Sequence, residues 1–353
     1  MPIAPPSEVL LDNPAMELMD LFGRMRSLAD AHNFQGTLPA VWQCSDESQG
    51  IKQALFGYAF DCPTFNLGRV GALLDPGRLT PASHHGQDLV ILGGSHHGIH
   101  EEGGIGYVER VNGHSNSCCS MLFRVVEPYL TLYRRAATLI TLYREVDGIK
   151  IEIPYKYLFR QPPGDTPQIH VLLRQLVDGT AIRESSHGKV YRLSAKFADR
   201  HQLALSDLNK EPRSIGTLLD AHSFRFIRHL DKYDPSPAAI LEASVLDFFP
   251  DIVTSKRPHR RLADVNTWRQ FHLLASYLTD SFDNSDRSIL MIAGLTLDHS
   301  IRRNTFVPQF GFLLDEGKTL QARYFGPDEV SEWLQAQPVF RPQHSFLEYA
   351  GAG

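Results

Sequence analysis

The chain has 353 residues, 42% apolar and 21% charged, with 26 glycines and 22 prolines, which excludes collagen-like, coiled-coil and low-complexity classes. Lysine plus arginine numbers 35 against 40 acidic residues, a net charge of −5, so no global basic field points to a nucleic-acid partner. The longest mostly apolar stretch, 289–297, is too short to span a bilayer, and residues 1–12 carry no lysine or arginine of a targeting signal, so the expectation is no membrane contact and a cytoplasmic location.

In chain order, residues 13–31 place Leu18, Leu21, Phe22, Met25 and Leu28 at helical spacing behind an Asn13 cap, interrupted by Gly23. A short strand is predicted over 38–43, ending at Cys44-Ser45-Asp46-Glu47, and a helix over 47–60. The glycine-punctuated run 65–71 reads as a turn or a close backbone approach. Residues 88–94 form a continuous apolar run of the kind found in buried parallel strands, and they feed directly into Ser95-His96-His97-Gly98. A long amphipathic helix is predicted from Ser115 onward, kinked or split at Pro128. Residues 262–280 read as a helix, 288–297 as a second buried strand, 310–314 as an edge strand and 335–353 as an extended tail. Strands alternating with helices imply an α/β fold whose site lies beyond the carboxyl ends of the strands.

The chemistry-bearing residues gather at those strand ends. Four cysteines (Cys44, Cys62, Cys118, Cys119) make no disulfide framework, and six of sixteen histidines fall between His84 and His114. Cys44 and Asp46 follow one strand, His96 follows another, and Cys118 opens the predicted long helix, where the helix dipole favours a thiolate. Two thiolates and one imidazole make a three-ligand zinc site with an open fourth position. Taken singly, each cysteine reads as a buried core thiol and each histidine as a loop residue; only their joint placement points to a metal. At a helix start, side chains 118 and 119 point about 100° apart, so one alone reaches an ion.

The runs Cys44-Ser45-Asp46-Glu47, Phe65-Asn66-Leu67-Gly68, Ser83-His84-His85, Ser95-His96-His97-Gly98-Ile99 and Ser115 to Cys118, with Asn304-Thr305-Phe306-Val307-Pro308 after the strand from Ile289, resemble the limiting-CO2-inducible B protein (LCIB-like) family. That family contains the theta-class carbonic anhydrases and is similar in fold to the beta class. The resemblance implies a beta-carbonic-anhydrase-like, mostly parallel central sheet flanked by helices. It divides the chain into an N-terminal helical arm at 1–34, an α/β domain at 35–330 and a tail at 331–353. The domain core lies at about 35–145 and 265–325, with an insertion at about 151–260.

The resemblance also implies a zinc ion held by Cys44, His96 and Cys118, with Asp46 beside it, interconverting CO2 and bicarbonate through a zinc-bound hydroxide. Asp46 then either ligates zinc and closes the site or, held away by a cation, orients the hydroxide. The beta-class pattern supplies that cation as an arginine two residues after the aspartate; here the position is Ser48, and Arg69 and Arg78 are the candidate replacements. His84 and His85 either shuttle protons or cap a turn. A homodimer is implied by the resemblance alone. Two other functions stay open: a non-catalytic zinc-binding homologue that binds bicarbonate or a partner protein, and a metallohydrolase built on His84, His85, His96, His97 and His100. The run Gly104-Ile105-Gly106 lacks the third glycine of a dinucleotide loop, and the basic run 256–261 reads as a solvated loop.

Overall fold

The computed structural model describes residues 14–46, 49–75, 77–78, 87–99, 107–109, 115–159, 164–231, 233–282, 287–300, 303–315 and 322–351. The chain forms two compact units, one of Met1–Phe123, Ser236–Ser244 and His259–Gly353, the other of Arg124–Pro235 and Val245–Pro258.

The first unit is built on an eight-stranded mixed sheet. Its strands are β1 (Met16–Glu17), β2 (Leu38–Trp42), β3 (Phe65–Asn66), β4 (Leu89–Gly93), β5 (His96–Gly98), β6 (Ile289–Ser300), β7 (Arg303–Leu314) and β8 (Arg323–Phe325). The order is β1-β7-β6-β4-β2-β3, with β5 also on β6 and β8 also on β7. β3, β2, β4 and β6 run parallel, and β5 is parallel to β6; β7 lies antiparallel between β6 and β1. β2 and β4 are buried at every residue, which is why they read as unbroken apolar runs in the sequence.

Helices cover both faces. Leu21, Phe22, Met25 and Leu28 of α1 (Leu18–Ala31), Phe56 and Phe60 of α2 (Gly50–Phe60), and Val330 and Leu334 of a later helix (Pro327–Gln335) pack on Val41, Val90, Leu92, Leu290 and Ile292. Each such buried leucine or phenylalanine adds about 1.5–3 kcal/mol of transfer free energy. On the opposite face the long helix Pro258–Phe282 makes polar contacts with the strand ends: Asn266 Nδ2 donates to the Gly71 carbonyl, and the Ser95 amide donates to Thr267 Oγ1.

Several local expectations shift. The first helix starts at Leu18 rather than at residue 13, because Met16 and Glu17 pair with Phe306 and Thr305 as a strand. Gly23 is required where it stands, since a Cβ there would run into the Phe340 carbonyl. The expected edge strand is a twelve-residue interior strand, β7, and Pro308 fits it at an irregularity in the β6–β7 register. The long helix begins at Ser120 and runs to Leu139 with Pro128 inside it; Ser115–Ser117 is instead a strand paired with Tyr107–Glu109. The expected extended tail contains a helical turn, Phe346–Gly351.

In the second unit, strands Thr141–Glu145, Gly148–Pro154, Val177–Glu184, Gly188–Leu193 and Arg213–Ser214 form an antiparallel sheet, and Gln168–Val171 pairs with Phe224–Ile227. Its aromatic core stacks Tyr129 on Phe249 at 3.6 Å between ring centroids, with Phe226 edge-on to Tyr129. Among the described residues, no helix is long and apolar enough to cross a membrane.

Candidate metal centre

The polar cluster forms where β2 and β4 end and β6 runs on. β2 stops at Trp42, and two residues later Cys44 turns inward, buried to 3% exposure. Its Sγ accepts the Gly71 amide at 3.2 Å. Gly71 can aim that amide because it holds φ +80°, a left-handed conformation that a side chain would strain. The glycine-punctuated segment is thus the close backbone approach that its composition suggests. β4 ends at Gly93, and the chain resumes as β5, with His96 in register opposite Thr296 and Gly98 opposite Asp298. Cys118 and Cys119 occupy the turn before the helix Ser120–Leu139, the Cys119 carbonyl accepting the Leu122 amide at 3.1 Å.

Two groups of donors result. Cys44, His96 and Cys119 have their ligand atoms within 4.8 Å of one another, and so do His96, Cys118 and Asp298; all five residues are buried. Cys44 Sγ and Cys119 Sγ are 3.8 Å apart. His96 Nδ1 lies 2.7 Å from Asp298 Oδ2 and 3.1 Å from Cys118 Sγ, and the Cys118 thiol donates to Asp298 at 3.0 Å. The Gln49 amide donates to both Asp298 oxygens, at 3.1 and 3.0 Å. His96 Nε2, by contrast, is buried without a hydrogen-bond partner.

The electrostatics polarise the cluster. The Cys119 thiol, donating to Cys44, pulls the Cys44 pKa well below its ordinary value against burial, with His96 and the Gly71 amide adding to the effect. The same contact with Cys44, together with burial, pushes Cys119 up. Burial pushes Cys118 up to about 12. Burial opposes the imidazolium of His96, but Asp298 and the three thiols outweigh it and raise its pKa well above the usual histidine range. Burial likewise opposes ionisation of Asp298, and the His96 hydrogen bond and charge overcome it. Neighbouring His97 is held neutral, lowered to about 3 by burial and then by the charges of Arg260 and His259.

The donor set fits a soft or borderline divalent cation: thiolates and imidazole are zinc's preferred donors. A histidine whose Nδ1–H is given to a buried carboxylate presents Nε2 as a ligand, with tautomer and ring orientation fixed. The buried, unbonded Nε2 of His96 is the observation that favours such an ion.

The sequence-derived residues are distributed as follows. Cys44 and His96 share the first group, with Cys119 as the second sulfur; Cys118, expected as that ligand, sits beside His96 Nδ1 and Asp298. Because both cysteines precede the helix, the 100° separation of successive helical side chains does not govern them. Asp46 is half-buried and in neither group. Arg69 and Arg78 both pair with Asp75, at 3.8 and 3.3 Å. Ser48, His84 and His85 lie outside the described residues. Asp298, Gln49 and Lys52 are additions that the sequence reading did not make. Their signal was a polar pair at strand spacing, Thr296 and Asp298, inside the buried strand β6, facing a polar pair at helical spacing, Gln49 and Lys52.

No protein-family model and no curated protein matches the sequence. Solved structures match across most of the chain. PtLCIB4, a homologue of the limiting CO2-inducible protein LCIB, superposes with TM-score 0.52 at 12% identity, covering 88% of this chain and 94% of its own. A single-residue mutant of PtLCIB4 gives 0.53 at 11%, covering 87% and 92%. LCIB itself gives 0.46 at 13%, covering 88% and 93%. The chain has the fold of these LCIB homologues, a partly parallel sheet flanked by helices, and its buried thiol–imidazole cluster stands at the carboxyl ends of the parallel strands.

Proposed function

We propose that this protein is a zinc-dependent carbonic anhydrase of the theta type, interconverting CO2 and bicarbonate. The single observation that carries the proposal is the convergence of Cys44, His96 and Cys119 within 4.8 Å, in a chain with the fold of LCIB homologues. We assign these three as the metal ligands. Zinc bound there would supply Lewis acidity and bring the pKa of water toward neutrality. Cys44, already the most acidic thiol of the cluster, would give a thiolate first. Asp298 would accept the Nδ1–H of His96 and fix its tautomer. Asp46, two residues beyond Cys44 and half-exposed, would accept and orient a proton on the water side of the site. The assembly proposed is a homodimer.

The test is stopped-flow CO2 hydration at measured zinc content. A rate above the buffer background that scales with zinc-loaded chain and is lost in Cys44→Ala is the expected result. A fully zinc-loaded chain that gives background alone overturns the enzyme assignment.

One observation favours a second function, a non-catalytic zinc-binding protein that binds bicarbonate or a partner. All five donor residues of the two groups are buried, and an ion enclosed by protein donors away from water makes a closed, structural site.

A further inference from the structure

Gln49 stands immediately before α2, buried to 1% exposure, and its amide nitrogen bridges the two oxygens of the Asp298 carboxylate at 3.1 and 3.0 Å. Its own backbone is held on both sides. Its N–H donates to the Asp46 carbonyl at 3.0 Å, and its carbonyl accepts the side-chain amide of Gln43 at 2.9 Å. Gln43 is itself buried and directly precedes Cys44. Hydrogen bonds between buried groups therefore run from Gln43 through Gln49 and Asp298 to His96, joining the segment that carries Cys44 to the carboxylate behind the histidine.

The geometry gives this amide a task. Three donors converge on Asp298, and two of them, His96 Nδ1 and the Cys118 thiol, meet the same oxygen, Oδ2. Of the three, Gln49 alone also holds Oδ1. The terminal torsion of an aspartate is soft, with broad wells, so a carboxylate held at one oxygen can pivot. A donor shared by both oxygens fixes its plane, and with it the place of Oδ2 at 2.7 Å from His96 Nδ1. Because the amide is uncharged, it does this without forming an ion pair that would compete with the imidazole for the carboxylate.

We propose that Gln49 is a positioning residue of the metal centre: by clamping both oxygens of Asp298 it fixes the carboxylate against His96 Nδ1 and so presents the other ring nitrogen, Nε2, to the ion. The assignment rests on the metal reading above and adds the group that aligns its histidine.

The test is a double-mutant cycle on the full-length chain, comparing wild type, Gln49→Met, Asp298→Ala and Gln49→Met/Asp298→Ala. Methionine keeps the length of glutamine without its donor. Zinc affinity is read by competition against a chromophoric chelator. Gln49→Met is expected to weaken zinc binding about tenfold, the lower end of what losing an outer partner of a metal-bound histidine costs. Once Asp298 is gone, the same substitution is expected to change affinity less than about twofold. No loss in Gln49→Met, or an equal loss in both backgrounds, overturns the proposal. The Nδ1 proton of His96, observed by NMR in zinc-loaded protein with isotope-labelled histidine, is a readout that lowered stability alone does not move. It is expected to shift upfield in Gln49→Met as its bond to Asp298 weakens, and an unmoved resonance overturns the proposal.

Melting of the metal-free proteins provides an independent arm. Gln49→Met is expected to lower Tm by about 2 °C or more with Asp298 present, since a buried carboxylate loses a donor. That loss should be at least halved in the Asp298→Ala background, and equal losses in the two backgrounds overturn the clamp. A wild type that takes up no zinc contradicts the metal reading itself, and the melting comparison then judges Gln49 and Asp298 without the ion.

Discussion

His96 Nδ1 and Asp298 Oδ2 stand 2.7 Å apart, both side chains almost wholly buried, and the other ring nitrogen of His96 is left without a hydrogen-bond partner. A carboxylate behind a histidine fixes which nitrogen carries the proton and raises the basicity of the other. Asp298→Asn is therefore expected to weaken zinc binding about 10- to 100-fold while leaving the fold intact. Competition against a chromophoric chelator measures it, and unchanged affinity would remove Asp298 from the site.

The adjacent cysteines separate by role. Cys119→Ala is expected to empty the site, as are Cys44→Ala and His96→Ala, because each removes one of three protein ligands. Cys118→Ala should retain near-stoichiometric zinc, losing only its hydrogen bond to Asp298. Elemental analysis of the purified variants checks this, and the opposite pattern would make Cys118 the ligand.

Gly71 supports Cys44 through its backbone. A Cβ there would sit 2.8 Å from Met121 Sδ, in a left-handed conformation. Gly71→Ala is expected to cost about 1–3 kcal/mol in urea unfolding and to weaken zinc binding, since the amide on Cys44 Sγ would move. A stability change without a change in zinc affinity would show that this amide does not tune the thiolate.

His97 should leave a signature in acid. Its folded pKa of about 3 lies below its ordinary value of 6.5, so the unfolded chain binds the extra proton between these values. The stability it contributes is complete above 6.5 and falls with acidification, by up to about 1.4 kcal/mol per pH step. His97→Gln should flatten the pH dependence of metal-free stability between about 6 and 4. An unchanged slope would mean that His97 charges freely in the folded state.

Much of the parallel sheet was legible because strands buried on both faces cannot hide their composition: 88–94 and 288–297 read as strands from their apolar runs alone. The placing of Cys44 and His96 followed, since each comes directly after such a run. Legibility failed where tertiary pairing overrode local pattern. Residues 115–117 look like the approach to a helix and instead pair with 107–109. Asp298 follows the apolar stretch 289–297 and reads as the charge that ends a strand, whereas β6 continues through it to Ser300. Nothing local to α2 reveals that Lys52 will be buried against Thr296. The short antiparallel strands of the second unit gave no order at all, as their pairings depend on partners far along the chain.

The central claim is that two sulfurs and one imidazole of this chain grip one ion, and X-ray absorption at the zinc edge of the loaded protein tests it most directly. Two sulfurs at about 2.3 Å and a histidine nitrogen at about 2.0 Å are expected, with the same shell in Cys118→Ala. A shell of nitrogen and oxygen alone would contradict the account.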